Sequence, residues 1–114
     1  MNDRHGDLID EIMKLINKDF SMKQLRNILV DYDVSICYWN NIILSLFVAN
    51  RDFSGSRKCL KLGAHPYNIM FNDSIKTLDT LTKMKMDGVF LSFGYHCSWY
   101  DTDDNCINFD NYLN

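Results

Sequence analysis

The stretch LSLFVANRDFSGSRKCLKLGAHP, residues 44–66, decides how this chain reads. Its first half is apolar at Leu44, Leu46, Phe47, Val48 and Ala49, the density expected of a helix buried on more than one side. Asn50-Arg51-Asp52 interrupts it. The second half carries Cys59, Leu60 and Leu62, and then stops: Gly63 suits a left-handed C-cap and Pro66 forbids continuation. With Asn40 or Asn41 as a cap for Ile42 to Asn50, and Ser54 as a cap for Gly55 to Leu62, the segment predicts helix, tight turn, helix, stop.

Working outward, the same pattern recurs at a step of about 31 residues. Backwards, Ile12, Met13, Leu15 and Ile16 fall under Ile43, Leu44, Leu46 and Phe47, while Ile28 and Leu29 fall under Cys59 and Leu60. Forwards, Leu44, Phe47, Cys59 and Leu60 meet Ile75, Leu78, Phe90 and Leu91, and Leu62-Gly63 meets Phe93-Gly94. The first unit predicts a helix over Asp7 to Asn17, then Met22 to Val30 behind an N-cap at Ser21, with Gln24 completing a capping box. The third predicts a helix opened by Asp73 or Ser74 and running to about Leu81, then a second to Phe93. A lone helix pair cannot bury its apolar face, so three stacked pairs give one core with polar ends. The expectation is one all-α domain over residues 1–114. Its units span about 7–35, 38–66 and 73–97, and residues 98–114 form a cap or tail.

Leu44-Ser45-Leu46 and Cys59-Leu60 followed by Gly63-Ala64-His65-Pro66 resemble an ankyrin repeat. The resemblance covers about residues 7–97, fair in the second unit and degenerate in the other two, as in the short ankyrin-type chains of large DNA viruses and intracellular bacteria. Ser45 stands where the family has a His that ties successive hairpins together, and Arg51-Asp52 replaces an inter-helix Gly-His. The resemblance implies short extended or hairpin connections projecting along one edge. It also implies non-catalytic protein–protein recognition, in a virus or pathogen by binding and blocking a host signalling or antiviral protein.

Composition narrows the classes. A 46% hydrophobic, 24% charged chain is that of an ordinary globular domain, and a net charge of −3 argues against a general nucleic-acid binder. No apolar run approaches the length of a membrane span. The polar start, Met1-Asn2-Asp3-Arg4-His5-Gly6-Asp7, does not read as a secretory signal, so a cytoplasmic setting is expected. Cys37, Cys59, Cys97 and Cys106 form no CxxC pair and fit a reducing compartment.

The aromatics gather between the predicted helices. Tyr38, Trp39, Tyr67, Phe71 and Tyr95, with Met70, are the expected partner-binding anchors, rimmed by Asn40, Asn68 and Asn72. Lys23, Arg26, Arg57, Lys58 and Lys61 would share the outer face of the second helices. The alternatives are a compact inhibitor acting through its acidic tail, around Asp101, Asp103, Asp104 and Asp110, and a Cys/His enzyme or metal site at His96, Cys97 and Cys106. No phosphate loop or nucleophile motif is present and no cofactor is expected.

Overall fold

Six α-helices make up the architecture of the described residues, 4–112, in a computed structural model. They are α1 (Arg4–Met13), α2 (Met22–Asp31), α3 (Tyr38–Ala49), α4 (Phe53–Lys61), α5 (Asp73–Lys76) and α6 (Thr80–Ser92). Met1, Asn2 and Asp3 of the polar start, and Leu113 and Asn114 of the tail, lie outside those residues.

Local chemistry explains most of the boundaries. At α2 the capping box forms in full: the Ser21 hydroxyl accepts from Gln24 N at 3.1 Å and the Gln24 side chain accepts from Ser21 N at 2.7 Å. At α4 the cap is Asp52, not Ser54. Its carboxylate accepts from Gly55 N through one oxygen and from Asn17 N through the other, both at 2.8 Å. A charged acceptor that joins two turns outcompetes a hydroxyl two residues later. Helices α2, α4 and α6 end alike. Val34 N reaches Leu29 O, Ala64 N reaches Cys59 O and Tyr95 N reaches Phe90 O, with Asp33, Gly63 and Gly94 in the left-handed region. Between the first two closures the step is one residue shorter than the step between the caps Ser21 and Asp52, so the 31-residue register slips by one residue between α2 and α4.

Other boundaries differ from expectation. The first helix runs Arg4–Met13 and gives way to turns before Asn17, whose φ of 58° ends any helical continuation. The α5 helix is a single turn: Thr77 is its C-cap, with N–H and hydroxyl both on Asp73 O, and Asp79 is already extended as the N-cap of α6. Neither Asn40 nor Asn41 is an ordinary cap. Trp39, Asn40 and Asn41 form a left-handed turn ahead of the right-handed helix that starts at Ile42. The connections are not hairpins: among the described residues no strand forms beyond one isolated bridge, Tyr100 with Cys106, and Pro66–Ile69 is a 3-10 turn.

One core runs through the molecule, from Leu8, Ile12 and Leu25, through Ile43, Leu44, Phe47 and Val48, to Ile75, Met86, Phe90 and Trp99. Phe20 stacks on Phe47 at 5.6 Å and joins the first pair of helices to the second. Small residues Gly55, Ser56 and Cys59 let α4 lie close against α3. The extents are 49 × 28 × 22 Å and the radius of gyration is 14.4 Å. A compact sphere-like domain of this length would give about 13 Å, so the molecule is elongated.

After Gly94 the chain is an ordered strap. Trp99 is buried, stacks on Phe90 at 5.4 Å and donates its indole N–H to Asp87 at 2.9 Å. Ile107 N returns to Trp99 O at 2.8 Å. Lys83, on α6, is buried and donates to Lys76 O at 2.6 Å and Tyr100 O at 3.0 Å, fastening the strap to the end of α5. Lys76 bridges Asp73 at 3.3 Å and Asp104 at 2.6 Å.

Candidate recognition edge

Between α2 and α3 the chain turns through Tyr32 to Cys37, and the left-handed turn then lifts Trp39 out of the fold, leaving it 64% exposed. The His5 ring, from α1, supports this end. The edge contact with Trp39 has centroids 4.2 Å apart, and the Tyr38 hydroxyl hydrogen-bonds to His5 Nδ1 at 2.9 Å. Asn41, buried beneath, accepts His65 N on its side-chain oxygen at 2.9 Å and so anchors the turn to the next connection.

That connection carries the next aromatic group. Tyr67, 51% exposed, meets Tyr95 edge-on at 5.5 Å, and the Tyr95 hydroxyl hydrogen-bonds to His65 Nδ1 at 3.2 Å. Phe71, 61% exposed, stacks on Tyr100 at 4.3 Å. Its neighbour Asn72 donates to the Ser45 hydroxyl at 3.0 Å and lines a cleft of about 230 Å³ together with Trp39, Asn40 and Ile42. Ser45 with Asn72, and Asn41 with His65, are side-chain ties between α3 and the segment after α4.

Five of the six expected anchors therefore lie on aromatic groups of the connections. The sixth, Met70, does not: at 3% exposed it belongs to the core, because the 3-10 turn at Pro66–Ile69 turns Met70 inward and Phe71 outward. Trp99 and Tyr100, which share the aromatic richness of these segments, divide the same way into a core residue and a surface partner. His5 and Ile42 join the edge without having been singled out in the sequence, and His65, read there only as part of the Gly63-Ala64-His65-Pro66 stop, joins it as well. His5 lies 33 residues from Tyr38, and no local spacing announces such a contact.

The chemistry available elsewhere is modest. Burial, with Asp87 nearby, pushes the Cys97 thiol up to about 11, and burial with Asp52 drives Cys59 higher still, so both are protonated at neutral pH. All four cysteines are free. Among the described residues no three His, Cys, Asp or Glu side chains converge as metal ligands. In the acidic tail, Asp101 accepts from Asp103 N and Asn105 N at 2.9 Å, and Asp104 is engaged by Lys76. The cleft between α1 and α2, about 480 Å³, is lined by Arg4 among others. The Arg4 guanidinium donates to Asp31 O at 2.7 Å and lies over the Tyr32 ring at 4.9 Å. None of the helices among the described residues is long and apolar enough to cross a membrane. Compared with known proteins, the chain matches no protein family, no curated protein and no solved structure.

Proposed function

We propose that this protein is a non-catalytic protein–protein recognition module, built as a short stack of degenerate ankyrin-like helix pairs, whose partner meets the edge formed by Trp39, Tyr67, Phe71, Tyr38 and Tyr95. One observation carries the reading. A tryptophan, 64% exposed, stands on a turn of three consecutive non-glycine residues in the left-handed region, with φ of 52°, 54° and 61°. Each such residue costs on the order of 1–2 kcal/mol relative to ordinary backbone, and Trp39 gains only the His5 contact in return. Strain that holds a large aromatic mostly in water supports a contact surface there. Tryptophan and tyrosine are also the side chains that anchor interfaces most often.

In the form the family resemblance implies, the partner is a host signalling or antiviral protein and binding blocks it. The repeat reading draws support from the matching helix ends at Asp33, Gly63 and Gly94 and from the turn-to-turn ties Asn17 to Asp52 and Arg51 to Asp79. The test is affinity capture from a candidate cell lysate with wild type and with Trp39→Ser, Phe71→Ser, each first verified as folded by helical circular dichroism. A protein retained by wild type and lost from the variant supports the edge. Equal retention by both removes it.

A further inference from the structure

We propose that the groove between α4 and α6 is a second docking site, one for an acidic amphipathic peptide segment of a protein partner. The groove, about 420 Å³, is lined by Phe53 and Val89 with Arg57 and Lys85 beside them, and it shares no residue with the aromatic edge. Phe53 is half-buried and Val89 buried, so the floor is apolar, while both cations are exposed.

Charge is distributed unevenly around it. The α4 sequence, FSGSRKCLK, contains no carboxylate. Lys58 is turned away, its ammonium 4.2 Å over the Phe20 ring and 3.1 Å from the Ser54 hydroxyl. Among the described residues, the ion pairs engage Lys14, Arg51 and Lys76; none engages Arg57, Lys61 or Lys85. In a chain with 15 carboxylates against 12 lysines and arginines, cations beside an apolar floor without a carboxylate call for a complementary anion from outside.

Gly88 adds an independent observation. It lies three positions from Lys85 and adjoins Val89, on the same stripe of α6, and it is exposed. Its backbone is not in the left-handed region, and a Cβ built there would meet nothing within 4 Å. Neither conformation nor packing inside the chain asks for glycine in mid-helix, where it is unfavourable. A bare strip of backbone instead admits close approach by another chain. An occupant with one or two apolar side chains between flanking Asp or Glu residues satisfies all three features: apolar groups on Phe53 and Val89, carboxylates on Arg57 and Lys85, main chain over Gly88.

The experiment is selection of a displayed library of short random peptides on the immobilised full chain. The expected result is enrichment of peptides in which Asp or Glu flanks Leu or Phe, with affinity falling as salt rises. Binding of a recovered peptide should fall about tenfold or more on Arg57→Glu, Lys85→Glu, and also on Gly88→Gln, which retains both cations and obstructs the strip. It should persist in Trp39→Ser, Phe71→Ser, which separates this groove from the aromatic edge. Circular dichroism and thermal unfolding establish that each variant is folded. Peptides without acidic enrichment, or acidic peptides that bind all variants equally, would overturn the proposal. So would sedimentation of wild type, but not the double variant, with vesicles of phosphatidylserine and phosphatidylcholine when no acidic peptide is selected, since that would assign the groove to a lipid surface.

Discussion

Trp39, Asn40 and Asn41 share a backbone conformation that side chains other than glycine rarely hold in succession. Asn41 has a local reason: its side-chain oxygen receives His65 N, and it is buried. Asn40 is exposed, with φ of 54°, and its neighbours fix its conformation. Replacing Asn40 with glycine should therefore raise unfolding free energy by about 0.5–1 kcal/mol, because glycine enters the left-handed region without the Cβ conflict. Urea unfolding measures this, and a loss of stability would mean the turn is unstrained. Residues 39–41 also mark a limit of sequence reading. Two asparagines before an apolar run predict a helix cap, and the helix does start at Ile42, yet nothing in their identity distinguishes a cap from a left-handed turn. Met70 and Phe71 pose the same problem. They are adjacent and both apolar, and only the 3-10 turn before them decides which one faces the core.

At the scale of elements, two glycines in helices predict opposite outcomes for one substitution. A Cβ on Gly55 would collide with the Phe47 ring, where α4 lies against α3 in a fully packed core. Gly55→Ala should destabilise the fold by about 1–3 kcal/mol. Gly88 faces open space, so Gly88→Ala should stabilise it by about 0.5–1 kcal/mol. Thermal or urea unfolding of the two variants side by side tests both, and a shared sign would contradict the packing described. The helices were largely legible because their signals are local: Ser21 with Gln24, Gly63 with Pro66, and the apolar run of α3. Asp52 was not legible as the α4 cap, since its second partner, Asn17 N, comes from 35 positions away. The shortness of α5 was hidden for a related reason. Thr77 and Leu78 read as helical continuation, yet Asp79 takes extended backbone and opens α6 at Thr80.

Across the whole molecule the strap after Gly94 is tied to the core through Trp99, and deleting residues 98–114 would remove that side chain. Trp99→Ala should cost about 3–5 kcal/mol and lower the unfolding midpoint steeply, whereas an unchanged midpoint would detach the strap from the core. Lys83, which fastens the strap, is predicted to leave a pH signature. Burial lowers its pKa from the usual 10.5, an effect that Asp101 and Asp79 partly offset. In the window below 10.5 the folded chain has released a proton that the unfolded chain still holds, so the contribution of Lys83 to stability rises with pH. Lys76 has the opposite sign. Hydrogen bonding to Asp104 raises its pKa, so its contribution is full below 10.5 and is lost as pH climbs through its folded value. The stability gap between wild type and Lys83→Met, followed by urea unfolding, should therefore move in favour of wild type as pH approaches 10.5. Parallel curves would contradict that placement of the ammonium.

The partner protein proposed for the aromatic edge meets Trp39, Tyr67 and Phe71 at a site separate from the groove between α4 and α6. Photocrosslinking in lysate from a light-activated phenylalanine analogue placed singly at position 39, 71 or 30 tests this. Val30, on α2, is the control because it is 76% exposed, more than Trp39 or Phe71. One covalent adduct of the same partner is expected from positions 39 and 71 and none from position 30. An adduct from position 30 with none from 39 or 71 would place recognition on the helices and contradict this reading.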